Sequence, residues 1–121
     1  MTKTLGTYKM TPDKEGYSYF QGEWVDLNED GLLDFISIRS NGNEGELVWF
    51  ERPSGSSGLD GKEWTEHLIT TGPDIGFEFS RLEAYPDEII VWAAQDLSNT
   101  LSFYRVSTKN GTLIDSRVIG D

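Results

Sequence analysis

Residues Asp26–Asp34 read DLNEDGLLD, and the rest of the chain is organised around them. Carboxylate or amide side chains stand at positions one, three, five and nine of this stretch, with Gly31 at position six. Glycine tolerates the positive φ of a sharp turn because it has no Cβ. Four side-chain oxygens and the Leu32 carbonyl can then converge on one hard cation at roughly 2.3–2.6 Å. The predicted ligands are Asp26, Asn28, Asp30, Leu32 and Asp34.

The residues after this loop indicate strands rather than helices. An EF-hand begins with the same spacing, but it needs a bidentate Glu at position twelve and a helix on each side. Position twelve is Ser37, inside the β-rich run DFISI. The loop is therefore predicted to join two strands and to hold calcium in a structural role, because four or five protein oxygens suit a large, flexibly coordinated ion. The alternative is a metal-free hairpin turn at Asp30-Gly31.

These residues also carry a resemblance to a known family. DLNEDGLLDFISI followed by ELVWFERP resembles the FG-GAP/VCBS repeat of integrin-like β-propellers, over about the first half of the chain. The resemblance implies a four-stranded blade with calcium in the turn between its first two strands. It also suggests an extracellular protein, although the start MTKTLGTYKM has no apolar run typical of a signal peptide.

Composition limits the partners that the chain is expected to bind. The 121 residues carry a formal net charge of −11, so the surface should repel phosphate backbones and anionic lipids. Neither nucleic acid nor a membrane surface is an expected partner. The sequence has no cysteine, which excludes disulfides and thiolate metal sites.

Short β-rich runs separated by Gly, Pro, Asn and Asp predict an all-β chain. Sliding the sequence by 54 residues, from Phe35 to Ile89, also pairs Trp49 with Phe103 without a gap. Upstream, the offset becomes 58 residues and pairs Trp24 with Leu82, because the second copy lacks the loop with the regularly spaced metal ligands. The predicted strands are Thr4–Thr11, Tyr19–Val25, Asp34–Ser40, Glu46–Arg52, Trp64–Thr71, Phe77–Tyr85, Glu88–Ala94, Thr100–Ser107 and Thr112–Ile119.

This spacing predicts about two four-stranded antiparallel propeller-type blades within a single unit, residues 1–121. An outer strand at 4–11 precedes a blade with the calcium loop at 19–71 and a blade without it at 77–119. A single β-sandwich or barrel is the alternative. Two blades do not close a propeller, which typically has 4–8. The predicted partners are therefore further copies of the chain, or the missing blades of a longer one.

Other candidate residues give weaker signals. Trp64 stands beside a Gly-rich loop and is the best candidate for an exposed platform on which a sugar could stack, although core packing is the simpler reading. His67 is the only histidine and is interpreted as structural. The expected function is a non-catalytic, calcium-stabilised scaffold for binding or assembly. The alternatives are a carbohydrate-binding lectin, or part of a larger enzyme such as the sugar dehydratases whose propellers it resembles.

Overall fold

Two four-stranded antiparallel sheets make up the computed structural model, which describes residues 14–55, 61–97 and 99–120. The strands run in chain order across each sheet, and neither sheet closes into a barrel. The prediction of an all-β chain with two four-stranded units is confirmed, whereas the predicted strand at 4–11 lies outside the described residues. The first sheet contains β1 (Ser18–Val25), β2 (Asp34–Ser40), β3 (Gly45–Glu51) and β4 (Thr65–Thr71), and the second contains β5 (Gly76–Arg81), β6 (Glu88–Gln95), β7 (Thr100–Ser107) and β8 (Leu113–Gly120).

The predicted strand Phe77–Tyr85 is too long. β5 ends at Arg81, because the Tyr85 N–H donates to the Leu82 carbonyl at 3.0 Å and the chain turns there ahead of Pro86. No helix occurs in the described parts of the chain, so none long and apolar enough to span a membrane is found there.

The two sheets stack face to face around the main hydrophobic core. Side chains alternate along β6 and β7, so that every second residue is buried against the first sheet. The first sheet contributes Ile36, Ile38, Leu47 and Trp49 to this core, and the second contributes Phe77, Ile89, Val91, Ala93, Tyr104 and Val106.

The opposite face of the first sheet carries a second, smaller buried cluster. Val48, Phe50 and Trp64 form a second buried cluster there, with Phe35 packed against it. The same face carries Arg39, which is only 1% exposed. This face is buried only at its centre, because Trp24 and Leu68, which pair with Phe35 and Val48, are exposed. On the second sheet, Trp92 and Leu101 lie exposed on the face turned away from the core.

The sheets lie in the same orientation, with β1 against β5. Gln21, in the middle of β1, contacts Phe77 near the start of β5, and Arg81 at the end of β5 reaches Asp26 just beyond β1. Corresponding strands therefore run in the same direction. The face of the first sheet that packs on the second is thus equivalent to the second sheet's uncovered face.

The strand pairs that the 54-residue offset aligns have different registers in the two sheets. Trp49 pairs with Ile36 in the first sheet, but Phe103 pairs with Trp92 rather than Ile90 in the second. The gapless sequence offset misses this shift of two residues. Because side chains alternate with a period of two, the shift leaves each residue on its expected face.

Candidate metal centre

The loop between β1 and β2 folds around the Asp26 carboxylate. Its Oδ1 accepts the Asp30 N–H at 3.1 Å, and its Oδ2 accepts the Gly31 N–H at 2.9 Å. Gly31 has a φ of 86°, as the sequence predicts for the tightest point of the turn. Asp30 Oδ1 in turn accepts the Leu32 N–H at 2.8 Å. These bonds hold the two carboxylates in the same concave loop.

Asp34 closes the loop as the first residue of β2 and is fully buried. Its carboxylate accepts the N–H of Leu27 at 3.1 Å and that of Arg52 at 2.9 Å. Burial raises the pKa of Asp34, and the Asp30 and Asp26 charges raise it further, against the opposite effect of the two N–H donors. A cation in this loop would offset the burial cost and the repulsion together.

The three carboxylates converge tightly enough to share one ion. Asp26, Asp30 and Asp34 each place one oxygen within 4.8 Å of the others. Oxygens bound to one calcium ion at about 2.4 Å lie at most about 4.8 Å apart. The three acidic ligands predicted from the sequence are therefore brought together.

Asn28 is the fourth predicted side-chain ligand, and its side-chain oxygen accepts no hydrogen bond from the described residues. Its Nδ2 donates to Glu51 Oε2 at 3.1 Å, whereas its Oδ1 is buried without a hydrogen-bond partner. Glu51 Oε1 lies 2.9 Å from His67 Nε2, and the His67 ring stacks on Trp49. This chain of contacts fixes the amide and leaves its oxygen for a cation, as partners outside a metal's own ligands commonly do.

A positive charge from the second sheet also reaches this loop. Arg81 Nη1 lies 3.1 Å from Glu29 Oε1, and Nη2 donates to the Asp26 carbonyl. Glu29 has a φ of 58°, a conformation that a non-glycine residue rarely adopts. Arg81 therefore ties the strained part of the loop to β5 and balances part of its charge. Leu32 lies half-buried in the loop, and its carbonyl stays a predicted ligand.

Glu51, His67 and Arg81 were not predicted from the sequence as part of this region. For Glu51, the hairpin of β2 and β3 gives a usable signal of its position near the loop. β2 begins at Asp34, and the paired strand β3 ends at Glu51. The position of His67 follows from the pairing of β4 with β3, which sets His67 opposite Trp49. Arg81 depends on how the two sheets stack, which the sequence does not state.

The prediction of an exposed platform at Trp64 is corrected by its burial. Its side chain is 5% exposed, in the second cluster with Val48 and Phe50. The Trp24 ring meets it edge-on at 6.2 Å, and the Arg52 guanidinium lies 5.5 Å from the ring centroid. A ring covered in this way has no open face on which a sugar could stack.

Comparison of the chain with protein-family models, with curated proteins and with solved structures finds no match.

Proposed function

We propose that this chain is a calcium-stabilised β-propeller segment of the FG-GAP/VCBS kind, which serves as a non-catalytic scaffold for binding or assembly. The observation that supports the calcium site is the convergence of the Asp26, Asp30 and Asp34 carboxylates, and the same loop holds the unpartnered Asn28 Oδ1. Carboxylate and amide oxygens are the ligands that calcium takes in proteins.

The arrangement of the sheets supports the propeller part of the proposal. Two four-stranded meanders stack in one orientation, and their first strands, β1 and β5, contact each other. Blades around a propeller axis have this relation, with the first strand of each blade innermost. Carbohydrate binding and membership of a larger enzyme stay predictions, and the burial of Trp64 removes the residue on which the former depended.

Calorimetric titration with calcium tests the site. We expect one ion per chain, and we expect Asp30→Asn to weaken binding at least about tenfold, since a ligand charge is lost. Asp30 is exposed and an Asn there still accepts the Leu32 N–H, so the variant should fold. Asp96→Asn, the same change at an exposed turn of the second sheet, is the matched control and should leave affinity unchanged. No saturable binding, or equal weakening by both variants, would refute the site.

A further inference from the structure

The two sheets of the chain stack through unlike faces. We call the face of the first sheet that packs on the second a front face, and the face of the second sheet that receives it a back face. The buried residues of this front face are Ile36, Ile38, Leu47 and Trp49. Those of this back face are Phe77, Ile89, Val91, Ala93, Tyr104 and Val106. Contact within the chain is therefore front to back.

The internal repeat gives each sheet both kinds of face. The residues 54 positions after the front-face residues of the first sheet form the front face of the second, namely Ile90, Trp92, Leu101 and Phe103. The residues 54 positions before three buried back-face residues of the second sheet lie on the back face of the first, namely Phe35, Val48 and Phe50. The chain thus ends in a front face on one side and in a back face on the other.

Both of these terminal faces expose large apolar side chains. On the front face of the second sheet, Trp92 is 44% exposed and Leu101 is 45% exposed. On the back face of the first sheet, Trp24 is 57% exposed and Leu68 is 51% exposed. Large apolar patches of this kind mark interaction surfaces.

We propose that the front face of the second sheet binds the back face of the first sheet of another copy, so that copies join head to tail in a closed ring. This contact repeats between chains the front-to-back stacking that the two sheets make within one chain. Contact between two front faces has no counterpart in the chain. The inference rests on the propeller proposed above and identifies its missing blades as further copies of this chain.

The common orientation of the sheets favours a ring over a filament. A head-to-tail contact gives a ring if its rotation closes and an open filament if it does not. Among the described strands, β1 and β5 make the closest approach between the two sheets, so the first strands lie together as they do around a central axis. Each copy supplies two blades and a propeller typically has about 4–8, so the ring should contain two to four copies.

The area of one contact makes assembly cooperative. Four strands about 4.8 Å apart and about seven residues long give a footprint of about 450 Å² per face. One contact then buries about 900 Å² in total, below the roughly 1,200 Å² of stable interfaces, so an open pair of copies should be weak. In a ring every copy makes two contacts, and the last contact forms within a single assembly, which favours the closed ring over open intermediates.

Sedimentation velocity over about 5 μM to 1 mM, with calcium and in about 0.15 M salt to screen the net charge of −11 on each copy, tests the ring. We expect monomer in equilibrium with one closed species of two to four copies. Trp92→Lys and Leu68→Lys each block one of the two faces, so each alone should raise the concentration needed for assembly at least about tenfold. Leu97→Lys, at an exposed turn outside both faces, is the matched control and should assemble like the parent.

Mixing the two blocked variants identifies the faces. Trp92→Lys keeps an intact back face and Leu68→Lys keeps an intact front face, so an equimolar mixture at millimolar concentration should form a dimer of one copy of each and nothing larger. Contact between two front faces predicts instead that Leu68→Lys assembles alone and that mixing adds nothing. Circular dichroism shows whether each variant folds. Leu101→Lys and Trp24→Lys, at exposed positions of the same two faces, replace a variant that does not.

Four results would overturn the ring: a monomeric parent at 1 mM, growth beyond four copies, assembly of Leu68→Lys as in the parent, or a mixture that stays monomeric. A monomeric parent that binds calcium refutes the ring and leaves the calcium site. A ring that binds no calcium refutes the calcium site alone.

Discussion

The side-chain amide of Gln21 makes both hydrogen bonds of a β-ladder with the backbone of Phe77 in the other sheet. Its Nε2 donates to the Phe77 carbonyl at 2.6 Å, and its Oε1 accepts the Phe77 N–H at 2.9 Å. A β-bulge between Tyr19 and Gln21 shifts the register of β1 and turns this side chain toward the second sheet. One amide thus joins the two sheets at their first strands.

Replacing Gln21 by alanine should therefore lower the free energy of unfolding by about 1–3 kcal/mol, because two buried backbone groups of Phe77 lose their partners. Gln21→Glu should give a similar loss, since a carboxylate cannot donate to the Phe77 carbonyl. Glu23→Ala, at an exposed position of the same strand, is the control. Urea unfolding measures the difference, and equal stability of all the variants would show that this bridge does not couple the sheets.

Asp30→Asn should change stability with opposite signs in the two metal states. Without calcium it removes repulsion with Asp26 and Asp34, whose carboxylate oxygens lie within 4.8 Å of that of Asp30, so the variant should be slightly more stable. With calcium it loses a ligand and should be less stable than the parent. Unfolding curves in EDTA and in calcium measure both differences. The same sign in both states would contradict the cation site.

Gly111 and Gly42 both have positive φ, of 69° and 90°, but only Gly111 faces a neighbour. A Cβ at Gly111 would lie 1.7 Å from Trp49 Nε1, whereas Gly42 faces open space. Gly42→Ala should cost about 1–2 kcal/mol from backbone strain alone. Gly111→Ala should cost about 1–3 kcal/mol more, because Trp49 must move. Equal thermal stability of the two variants would contradict the close contact between the β7–β8 turn and Trp49.

The buried Arg39 guanidinium should make stability depend on pH in acid. It donates to Glu46 at 2.7 Å and to Glu66 at 2.8 Å. The Arg39 hydrogen bonds hold the pKa of Glu66 below its ordinary value of 4.5. For Glu46, burial acts in the opposite direction, but the hydrogen bonds from Lys14 and Arg39 outweigh it, so this pKa is also lowered.

A lowered carboxyl pKa stabilises the fold above pH 4.5 and loses that contribution as the pH falls through the folded-state value. Glu66→Gln should therefore lower the free energy of unfolding at neutral pH by up to about 1 kcal/mol, the contribution of a partly exposed ion pair. The free energy of unfolding of this variant should also fall less as the solution is acidified. The exposed Glu63→Gln is the control. Unfolding free energies at pH 7 and pH 3 give the comparison, and parallel curves for Glu66→Gln and the parent would contradict it.

Local patterns in the sequence predict the two four-stranded units and the convergence of the three loop carboxylates. The spacing of Asp26, Asp30 and Asp34 is a property of one turn, so it can be read without knowing how the sheets pack. The sequence places the end of β5 too late, because apolar residues keep alternating with polar ones beyond Arg81, at Leu82, Ala84 and Tyr85. Strand propensity alone does not show where a ladder loses its partner.

Features that depend on stacking were beyond the sequence. Trp64 stands next to a Gly-rich run of sequence, yet it is buried with Val48 and Phe50 on the far face of the first sheet. Arg81 and Gln21 act across the two sheets, so neither role follows from neighbours in the chain. The two-residue register shift between Trp49 and Phe103 depends on how each hairpin closes, which a gapless alignment does not report.

Thermal unfolding in calcium and in EDTA shows whether a cation stabilises the β1–β2 loop. We expect a melting temperature several degrees higher in millimolar calcium, since saturating the site at about 100 times its dissociation constant adds about 2.7 kcal/mol. The gain should disappear in the triple variant Asp26→Asn, Asn28→Ala, Asp30→Asn. Superimposable melting curves in calcium and in EDTA would contradict the claim that a cation holds the β1–β2 loop together.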